Sequence, residues 1–178
     1  AGLDYVDLSL QSGVVNVTLG STGYLNIENF TGNNTTSTLT GDNLANTWIV
    51  TGANTGTLGS VNFSGFNNLT GNANTDDFSL NGGAITGNID GGGGIDSITA
   101  DNASNTWTIT SANSGLVTSI NTFSNVENLI GSSGIDDFVF ADGSSISGSI
   151  DGGTGAGVNT VDQSAQTGNV TIVLGGGN

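Results

Sequence analysis

The sequence predicts an all-β fold, a parallel β-helix (β-solenoid) with about 20 residues per coil and roughly nine coils. Two observations predict this fold. Residues 71–90 align with residues 91–110, so that Gly71 falls on Gly91 and Phe78 on Ile98. The composition also disfavours helices, because the chain is rich in Gly, Thr, Ser and Asn and contains no Lys, Arg or Met.

Longer intervals confirm that the sequence repeats itself. The segment DNLANTW ending at Trp48 returns as DNASNTW ending at Trp107, at an offset of 59 (107 − 48). The tetrad NLTG ending at Gly71 returns as NLIG ending at Gly131, at an offset of 60 (131 − 71). An earlier copy, NFTG ending at Gly32, precedes Gly71 by only 39 residues (71 − 32), which is 20 residues less than the offset of 59. Stacked coils can lose a coil in this way.

The two ends of the chain share a pattern. Residues 6–20, VDLSLQSGVVNVTLG, alternate apolar and polar residues as a half-buried strand does. Residues 161–175, VDQSAQTGNVTIVLG, match them without a gap at an interval of 155 (161 − 6). We therefore predict a single domain over residues 1–178, made of one 155-residue unit and the start of the next. The chain is either a segment of a longer array or a subunit whose last coil receives the next subunit.

The segments between these ends predict short strands that meet at bends. Residues 24–32, 63–71 and 123–131 carry apolar side chains at i, i+3 and i+6, but they are rich in Asn and Gly and too short for a stable helix. Trp48 alternates with Val50 and Trp107 with Ile109, which predicts buried aromatic rings rather than exposed sugar platforms. In residues 84–90 and 145–151, two isoleucines flank a Gly on one face.

Charge excludes several classes of function. The chain has no Lys, Arg or His and 15 acidic residues, for a net charge of −15. Nucleic acid and anionic membrane surfaces are not expected partners, because binding them needs basic residues. Without Cys or His, thiolate zinc sites, cysteine nucleophiles and imidazole chemistry are absent. No apolar run is long enough to span a bilayer, so no membrane insertion is expected.

Glycine-rich turns supply the candidate metal ligands. Residues 91–99, GGGGIDSIT, fit the calcium-binding nonapeptide G-G-x-G-x-D-x-U-x, in which Gly turns expose carbonyls and Asp supplies a carboxylate. Residues 71–79, 131–139 and, with an insertion, 152–162 are related, whereas the copy beginning at Gly32 has Ser37 in place of Asp. Ordinary Gly/Asp turn chemistry is the alternative. The candidate calcium ligands are Asp76, Asp77, Asp90, Asp96, Asp136, Asp137 and Asp151. Calcium is the only cofactor that the sequence suggests.

Two acidic pairs resemble the paired carboxylates of a glycosidase, Asp76 with Asp77 and Asp136 with Asp137. Successive residues of a strand point to opposite faces, so we expect these carboxylates not to converge. Polysaccharide lyases built on β-helices generally pair calcium with a basic residue, which this chain lacks. The sequence therefore predicts that the protein is not an enzyme.

The 6–20 segment, the NFTG, NLTG and NLIG tetrads, DDF, GSID and GGGGID together resemble the repeat regions of large bacterial surface and secreted proteins. These are filamentous-haemagglutinin-like adhesins with repeats-in-toxin-type calcium motifs. The resemblance covers most of the chain. It implies a right-handed, extracellular β-solenoid at the bacterial cell surface, used in adhesion or in a surface or biofilm matrix and often loaded with calcium.

Two functional hypotheses follow from these observations. The first is a structural one, a segment or subunit of a surface fibre that assembles head to tail with copies of itself, since the ends of a solenoid leave strand edges open. The alternative is a binding module that recognises surface glycans or ice on its flat faces, supported by Thr-rich strands such as TWTIT. Regular ranks of Thr on successive coils would favour ice, and the sequence suggests scattered Thr instead.

Overall fold

The computed structural model describes residues 2–20 and 23–171. These residues form an all-β fold of two nine-stranded sheets and contain no helix. The first strands are short: β1 (Tyr5–Asp7), β2 (Asn16–Thr18), β3 (Asn29–Thr31), β4 (Thr38–Thr40), β5 (Asn46–Gly52), β6 (Thr55–Leu58), β7 (Val61–Ser64), β8 (Asn68–Thr70) and β9 (Asp76–Leu80). The others are β10 (Ile85–Asp90), β11 (Ser97–Thr99), β12 (Asn105–Ser111), β13 (Ser114–Val117), β14 (Ile120–Ser124), β15 (Asn128–Ile130), β16 (Asp136–Phe140), β17 (Ile150–Asp151) and β18 (Thr160–Asp162).

The chain passes alternately through the two sheets. Sheet A has the strand order β1-β3-β7-β6-β5-β9-β11-β15-β17, and sheet B has the order β2-β4-β8-β10-β14-β13-β12-β16-β18. Most neighbours are parallel and in register. Phe78 of β9 pairs with Ile98 of β11, and Ile98 pairs in turn with Leu129 of β15. The prediction that equivalent residues stack on successive passages is confirmed at these positions.

Two antiparallel meanders interrupt the parallel pairing, and the sequence interpretation did not include them. Strands β5, β6 and β7 run antiparallel to one another inside sheet A, and β12, β13 and β14 do so inside sheet B. Because each meander adds two strands, Trp48 pairs with a residue 30 positions later, Phe78, rather than about 20 positions later. A uniform period of about 20 therefore describes only part of the chain.

The meanders explain the longer sequence interval. Residues 46–52 form β5 in sheet A, and their counterparts 59 positions later, residues 105–111, form β12 in sheet B. The same local sequence thus builds the same meander on opposite sheets. The repeat shared by the two ends of the chain also falls on opposite sheets. Val6 lies in β1 of sheet A, and its counterpart Val161 lies in β18 of sheet B. Residues 172–175 of that repeat lie outside the described residues.

Inward-facing side chains of both sheets form one hydrophobic core. Trp48 and Trp107 are fully buried, as predicted, and each stacks on a Phe of the neighbouring strand. The ring centroids of Trp48 and Phe78 are 5.3 Å apart, and those of Trp107 and Phe138 are 5.4 Å apart. Phe63, Phe66 and Leu69 are buried without forming a helix, so their i, i+3, i+6 spacing reflects strands that meet at a bend.

Each meander needs a glycine at its centre. A side chain at Gly56 would overlap the carbonyl oxygen of Ile49 and lie 2.9 Å from the ring of Phe63. A side chain at Gly115 would likewise overlap the carbonyl oxygen of Thr108 and lie 3.0 Å from the ring of Phe123. The aromatic ring of the third strand therefore covers the space that the glycine leaves on the second strand.

Candidate functional site

The seven predicted calcium ligands divide between the interior and the surface. Asp76, Asp96 and Asp136 have no exposed area. The remaining four are exposed or half-buried, namely Asp77, Asp90, Asp137 and Asp151. The two members of each acidic pair point to opposite faces, as strand alternation predicts. Asp76 is buried while Asp77 is exposed, and Asp136 is buried while Asp137 is half-buried.

Sheet A brings three acidic residues together in one column. The parallel register places Asp76 beside Asp96. The backbone N–H of Asp76 donates to Oδ1 of Asp96 (2.8 Å), and the N–H of Asp96 donates to Oε2 of Glu127 (2.9 Å). We call Asp76, Asp96 and Glu127 the inner acidic column. Glu127 was not among the predicted ligands, because its alignment with Asp96 depends on the spacing between β11 and β15.

Sheet B contains a matching column in which amides flank the acid. The side-chain amide of Asn105 donates to Oδ1 of Asp136 (3.0 Å). The backbone N–H of Asp136 donates to Oδ1 of Asn159 (2.9 Å). Asn46 likewise occupies the position next to Asp76 on the other side from Asp96. Asn and Asp therefore occupy the same position, at or just before the start of neighbouring strands. The backbone at this position accepts either residue.

Burial shifts the ionisation of the inner carboxylates. Loss of hydration is the largest cause that raises the pKa of Asp96, to about 6, and the charges of Asp76 and Glu127 add to it. Loss of hydration also raises the pKa of Asp76 and of Asp136 above the usual range. The chain has no Lys, Arg or His to oppose these shifts. The columns therefore bind protons more readily than surface carboxylates do.

Several buried polar atoms of the columns have no hydrogen-bond partner among the described residues. These atoms are both carboxylate oxygens of Asp76, Oδ2 of Asp96, Oδ2 of Asp136 and the indole nitrogens of Trp48 and Trp107. Asn46 and then the indole N–H of Trp48 favour the charged form of Asp76, which lowers its pKa against the larger effect of burial. Asn105 and then the indole N–H of Trp107 do the same for Asp136, although neither indole meets hydrogen-bonding geometry. The same Trp–Asp neighbourhood occurs once in each sheet. Unpaired buried polar atoms cost free energy, so both sites lower stability while the carboxylate is ionised.

The glycine of the nonapeptide-like motif has a packing role. A side chain at Gly71 would overlap Oδ2 of Asp76, and one at Gly91 would lie 2.6 Å from Oδ2 of Asp96. Gly131 meets Asp136 in the same way. Each Asp thus folds back onto the glycine five positions earlier and fills an inner corner. The sequence shows this spacing and predicts a ligand motif from it, whereas the structure shows the Asp packed against the Gly.

Ser37 shows that the corner does not require an acid. Its side chain is fully buried opposite Gly32, and its Oγ accepts from the N–H of Asn33 (2.8 Å) and donates to Oδ1 of that residue (2.6 Å). The alternative of Gly/Asp turn chemistry therefore accounts for the geometry of these motifs.

The outer acids are held by neighbouring hydroxyls and backbone N–H groups. Asp77 accepts from the hydroxyl of Ser97 and Asp137 accepts from that of Thr160, each at 2.6 Å. Asp90 and Asp151 accept from the N–H two residues later, which is the hydrogen bond of an Asx turn. Within residues 2–20 and 23–171, no cluster of three or more acidic side chains is arranged to hold a metal ion. The calcium assignment remains a prediction.

The outer face of sheet B carries a rank of threonines that the sequence interpretation missed. Thr18, Thr40 and Thr70 lie in register on the adjacent strands β2, β4 and β8, and Asp90 and Ser124 continue the rank. The expectation of scattered Thr is wrong at these three positions. The offsets between successive threonines differ, 22 (40 − 18) and then 30 (70 − 40), and this inequality hides the rank from any fixed period.

The described part of the chain contains no helix long and apolar enough to cross a membrane. The resemblance to adhesin repeat regions depends on the repeated segments and turn motifs quoted above. Packing at corners accounts for the Gly–Asp spacing of the turn motifs. Comparisons of the chain with protein-family models, with curated proteins and with solved structures find no match, so the resemblance remains a prediction.

Proposed function

We propose that this chain is a right-handed parallel β-solenoid, and that it serves as a structural segment or subunit of an extracellular bacterial surface fibre, adhesin or matrix filament. Because a meander supplies two of the nine strands in each sheet, the chain makes fewer coils than the nine expected from a period of 20. Copies join end to end along the solenoid axis. The observation that carries the proposal is the set of open strand edges at the two ends of the molecule. Nine strands at a spacing of about 4.8 Å give a rod roughly 40 Å long.

At each end of each sheet, the last strand has a neighbour on one side only within the part of the chain that the structure describes. Strands β1 and β2 form one end, and β17 and β18 form the other. At the first end the N–H of Leu8 donates to the carbonyl of Thr31 in β3 (2.8 Å). Backbone groups alternate in direction along a strand, so the N–H groups of Tyr5 and Asp7 face the open side. Such an edge can pair with another strand.

Apolar side chains also collect at these ends. Tyr5 is 67% exposed and Leu10 is 96% exposed at the first end, and Val158 is 79% exposed near the other. Burial of such side chains in an end-to-end contact would add hydrophobic stabilisation to the backbone pairing. The β18 segment repeats the sequence of the β1 segment, so a β1 strand stacked on β18 would pair with a strand of similar sequence. A contact of this head-to-tail kind continues into a filament when it does not close into a ring.

Charge regulates this assembly. Asp4 and Asp7 lie at the first end and Asp151 and Asp162 at the other, and the chain has no Lys, Arg or His to pair with them. The ends therefore repel one another at neutral pH and low ionic strength. Salt screens exposed charges over about 10 Å at 0.1 M, so added salt should favour the end-to-end contact.

Analytical ultracentrifugation tests the assembly. We expect a monomer in low salt and concentration-dependent head-to-tail oligomers at higher salt or in millimolar calcium. Tyr5→Pro removes an outward N–H from the open edge without removing a β1–β3 hydrogen bond, so it should weaken association about tenfold or more. Tyr5→Thr keeps the N–H and is the matched control. A wild-type chain that stays monomeric at high concentration in both salt and calcium would refute end-to-end assembly.

Calcium is part of the proposal as a stabilising ion bound by the candidate Asp turns. We expect millimolar calcium to raise the melting temperature by several degrees relative to a chelator, because fifteen acids repel one another without any basic side chain to oppose them. Magnesium at the same ionic strength controls for general screening. A specific site predicts a larger effect of calcium than of magnesium. Equal melting temperatures in chelator and calcium would contradict bound calcium.

A further inference from the structure

Acidic residues are unevenly distributed over this acidic chain. All fifteen lie outside residues 43–75 and 102–126, the stretches that contain the two meanders. Both stretches are rich in Thr and Ser and contain no charged side chain. The meanders therefore add no charge to the surface, although Asp137 of β16 pairs with Thr106 at the margin of the second meander. An uncharged surface of this kind suits a neutral ligand. A cationic ligand would be drawn to the acids elsewhere, and an anionic one would be repelled.

A shallow, open groove of ≈ 610 Å³ crosses the meander of sheet B. Its lining comes from four strands that are adjacent in that sheet, β12, β13, β14 and β10, or from residues next to them. The groove therefore runs across the strands, along the axis of the molecule. Four strands at their usual spacing give a length of about 14 Å. That length fits a short run of units from a linear polymer.

The lining is amphipathic. Leu116, 39% exposed, lies in the groove above the buried side chains of Ile85 and Val117. Hydroxyls of Thr106, Thr108 and Thr118 line the same groove. The Thr118 hydroxyl accepts from the backbone N–H of Thr106 (2.9 Å), which fixes its position between two strands. An apolar strip with hydroxyl groups beside it matches a sugar ring, which has an apolar C–H face and hydroxyl edges.

We infer that this groove binds an extended, neutral polysaccharide lying along the axis of sheet B. The ligand's C–H faces pack on Leu116, and its hydroxyls exchange hydrogen bonds with the threonines. The shape favours a polymer over an ice surface, because bulges between Ile109 and Ser111 and between Gly115 and Val117 break the regular lattice of the face. This binding is independent of end-to-end assembly, since the groove does not include the edge strands β2 and β18.

Native affinity electrophoresis tests the inference. Migration of the chain is compared in gels without polysaccharide and in gels containing hydroxyethyl cellulose, dextran or alginate. We expect retardation by hydroxyethyl cellulose, weaker retardation by the flexible α-linked dextran and none by the anionic alginate. Thr108→Asp and Leu116→Asp each add one negative charge to the groove and should weaken retardation at least tenfold.

The repeat provides a matched control. Thr57 occupies in sheet A the position that Leu116 has in sheet B, at an offset of 59 (116 − 57), so Thr57→Asp adds the same charge outside the groove. It should bind as the wild type does. Thermal unfolding verifies that all three variants are folded. Absence of retardation of the wild type by hydroxyethyl cellulose, or equal losses in Thr57→Asp and the groove variants, would each overturn the inference. The Tyr5→Pro variant should retain the binding, which separates it from assembly.

Discussion

Replacing Asp96 with Asn should raise the melting temperature at pH 7.5 by several degrees, corresponding to about 1–3 kcal/mol of unfolding free energy. Asn keeps the Oδ1 that accepts from the N–H of Asp76. Its amide can also donate to the unpaired carboxylate of Asp76, which the ionised Asp96 cannot do. Asn46, Asn105 and Asn159 already occupy equivalent positions in other strands, so the exchange fits the local backbone.

The gain should depend on pH with a defined sign. The pKa of Asp96 rises from its ordinary 3.8 to about 6 in the folded chain, so the folded state binds the proton more tightly than the unfolded state. The wild type therefore gains stability from this group as the pH falls from about 7 towards 4. Asp96→Asn removes that gain, so its advantage should be full above about pH 7 and shrink as the pH falls towards 4. Melting curves between pH 4 and 8 measure it.

A surface variant separates this effect from the change in net charge. Asp77→Asn removes one charge from the exposed face of the same region and should change the melting temperature much less. The explanation fails if Asp96→Asn destabilises the chain at pH 7.5, or if it leaves the pH dependence between pH 4 and 7 unchanged.

Truncating Trp107 to Ala should lower the free energy of unfolding by about 3–5 kcal/mol. The ring is fully buried, stacks on Phe138 at 5.4 Å and meets Phe123 edge to face at 6.2 Å. Its loss leaves a cavity at the meander of sheet B and removes both aromatic contacts. Guanidinium unfolding measures the change. Hydrogen exchange should show the opening concentrated in β12, β14 and β16, because each coil of a solenoid contacts mainly its neighbours.

Trp107→Phe is the matched control. It keeps an aromatic ring against Phe138 and removes the indole N–H that lacks a partner among the described residues. The smaller ring should therefore cost clearly less than the truncation to Ala. A loss below about 1 kcal/mol for Trp107→Ala would mean that the stack contributes little and that neighbouring side chains close the cavity.

The stacking of equivalent residues could be predicted from the sequence, whereas the meanders could not be predicted from periodicity. Phe78 and Ile98 fell together at an interval of 20 (98 − 78), and they pair in the structure. Within residues 46–64 a different signal was available, because two residues, Gly59 and Ser60, separate β6 from β7, as in a tight hairpin. Asn54 adopts φ 52° at the preceding turn, and Asn113 adopts φ 51° at its counterpart, the left-handed conformation that Asn tolerates.

The candidate site was predictable only in part. Strand alternation correctly separates Asp76 from Asp77 but does not say which of them faces inward. The pKa of Asp96 is raised mainly by burial and then by the charges of Asp76 and Glu127, which lie 20 and 31 positions away in the sequence. Such neighbours are known only when the register is known. The groove in sheet B likewise needs β10 next to β14, a pairing of Ile85 with Ile120 at an offset of 35 (120 − 85) that no repeat of the sequence indicates.

Balance between the two sides of the molecule follows from where the meanders lie. The first meander adds two strands to sheet A and the second adds two strands to sheet B. Both sheets therefore contain nine strands along the axis of the molecule. Removal of one meander-containing block would leave one side about 10 Å taller than the other and tilt everything stacked above it. A straight fibre of this sequence is therefore expected to grow by even numbers of such blocks, and an odd number would give it a bend.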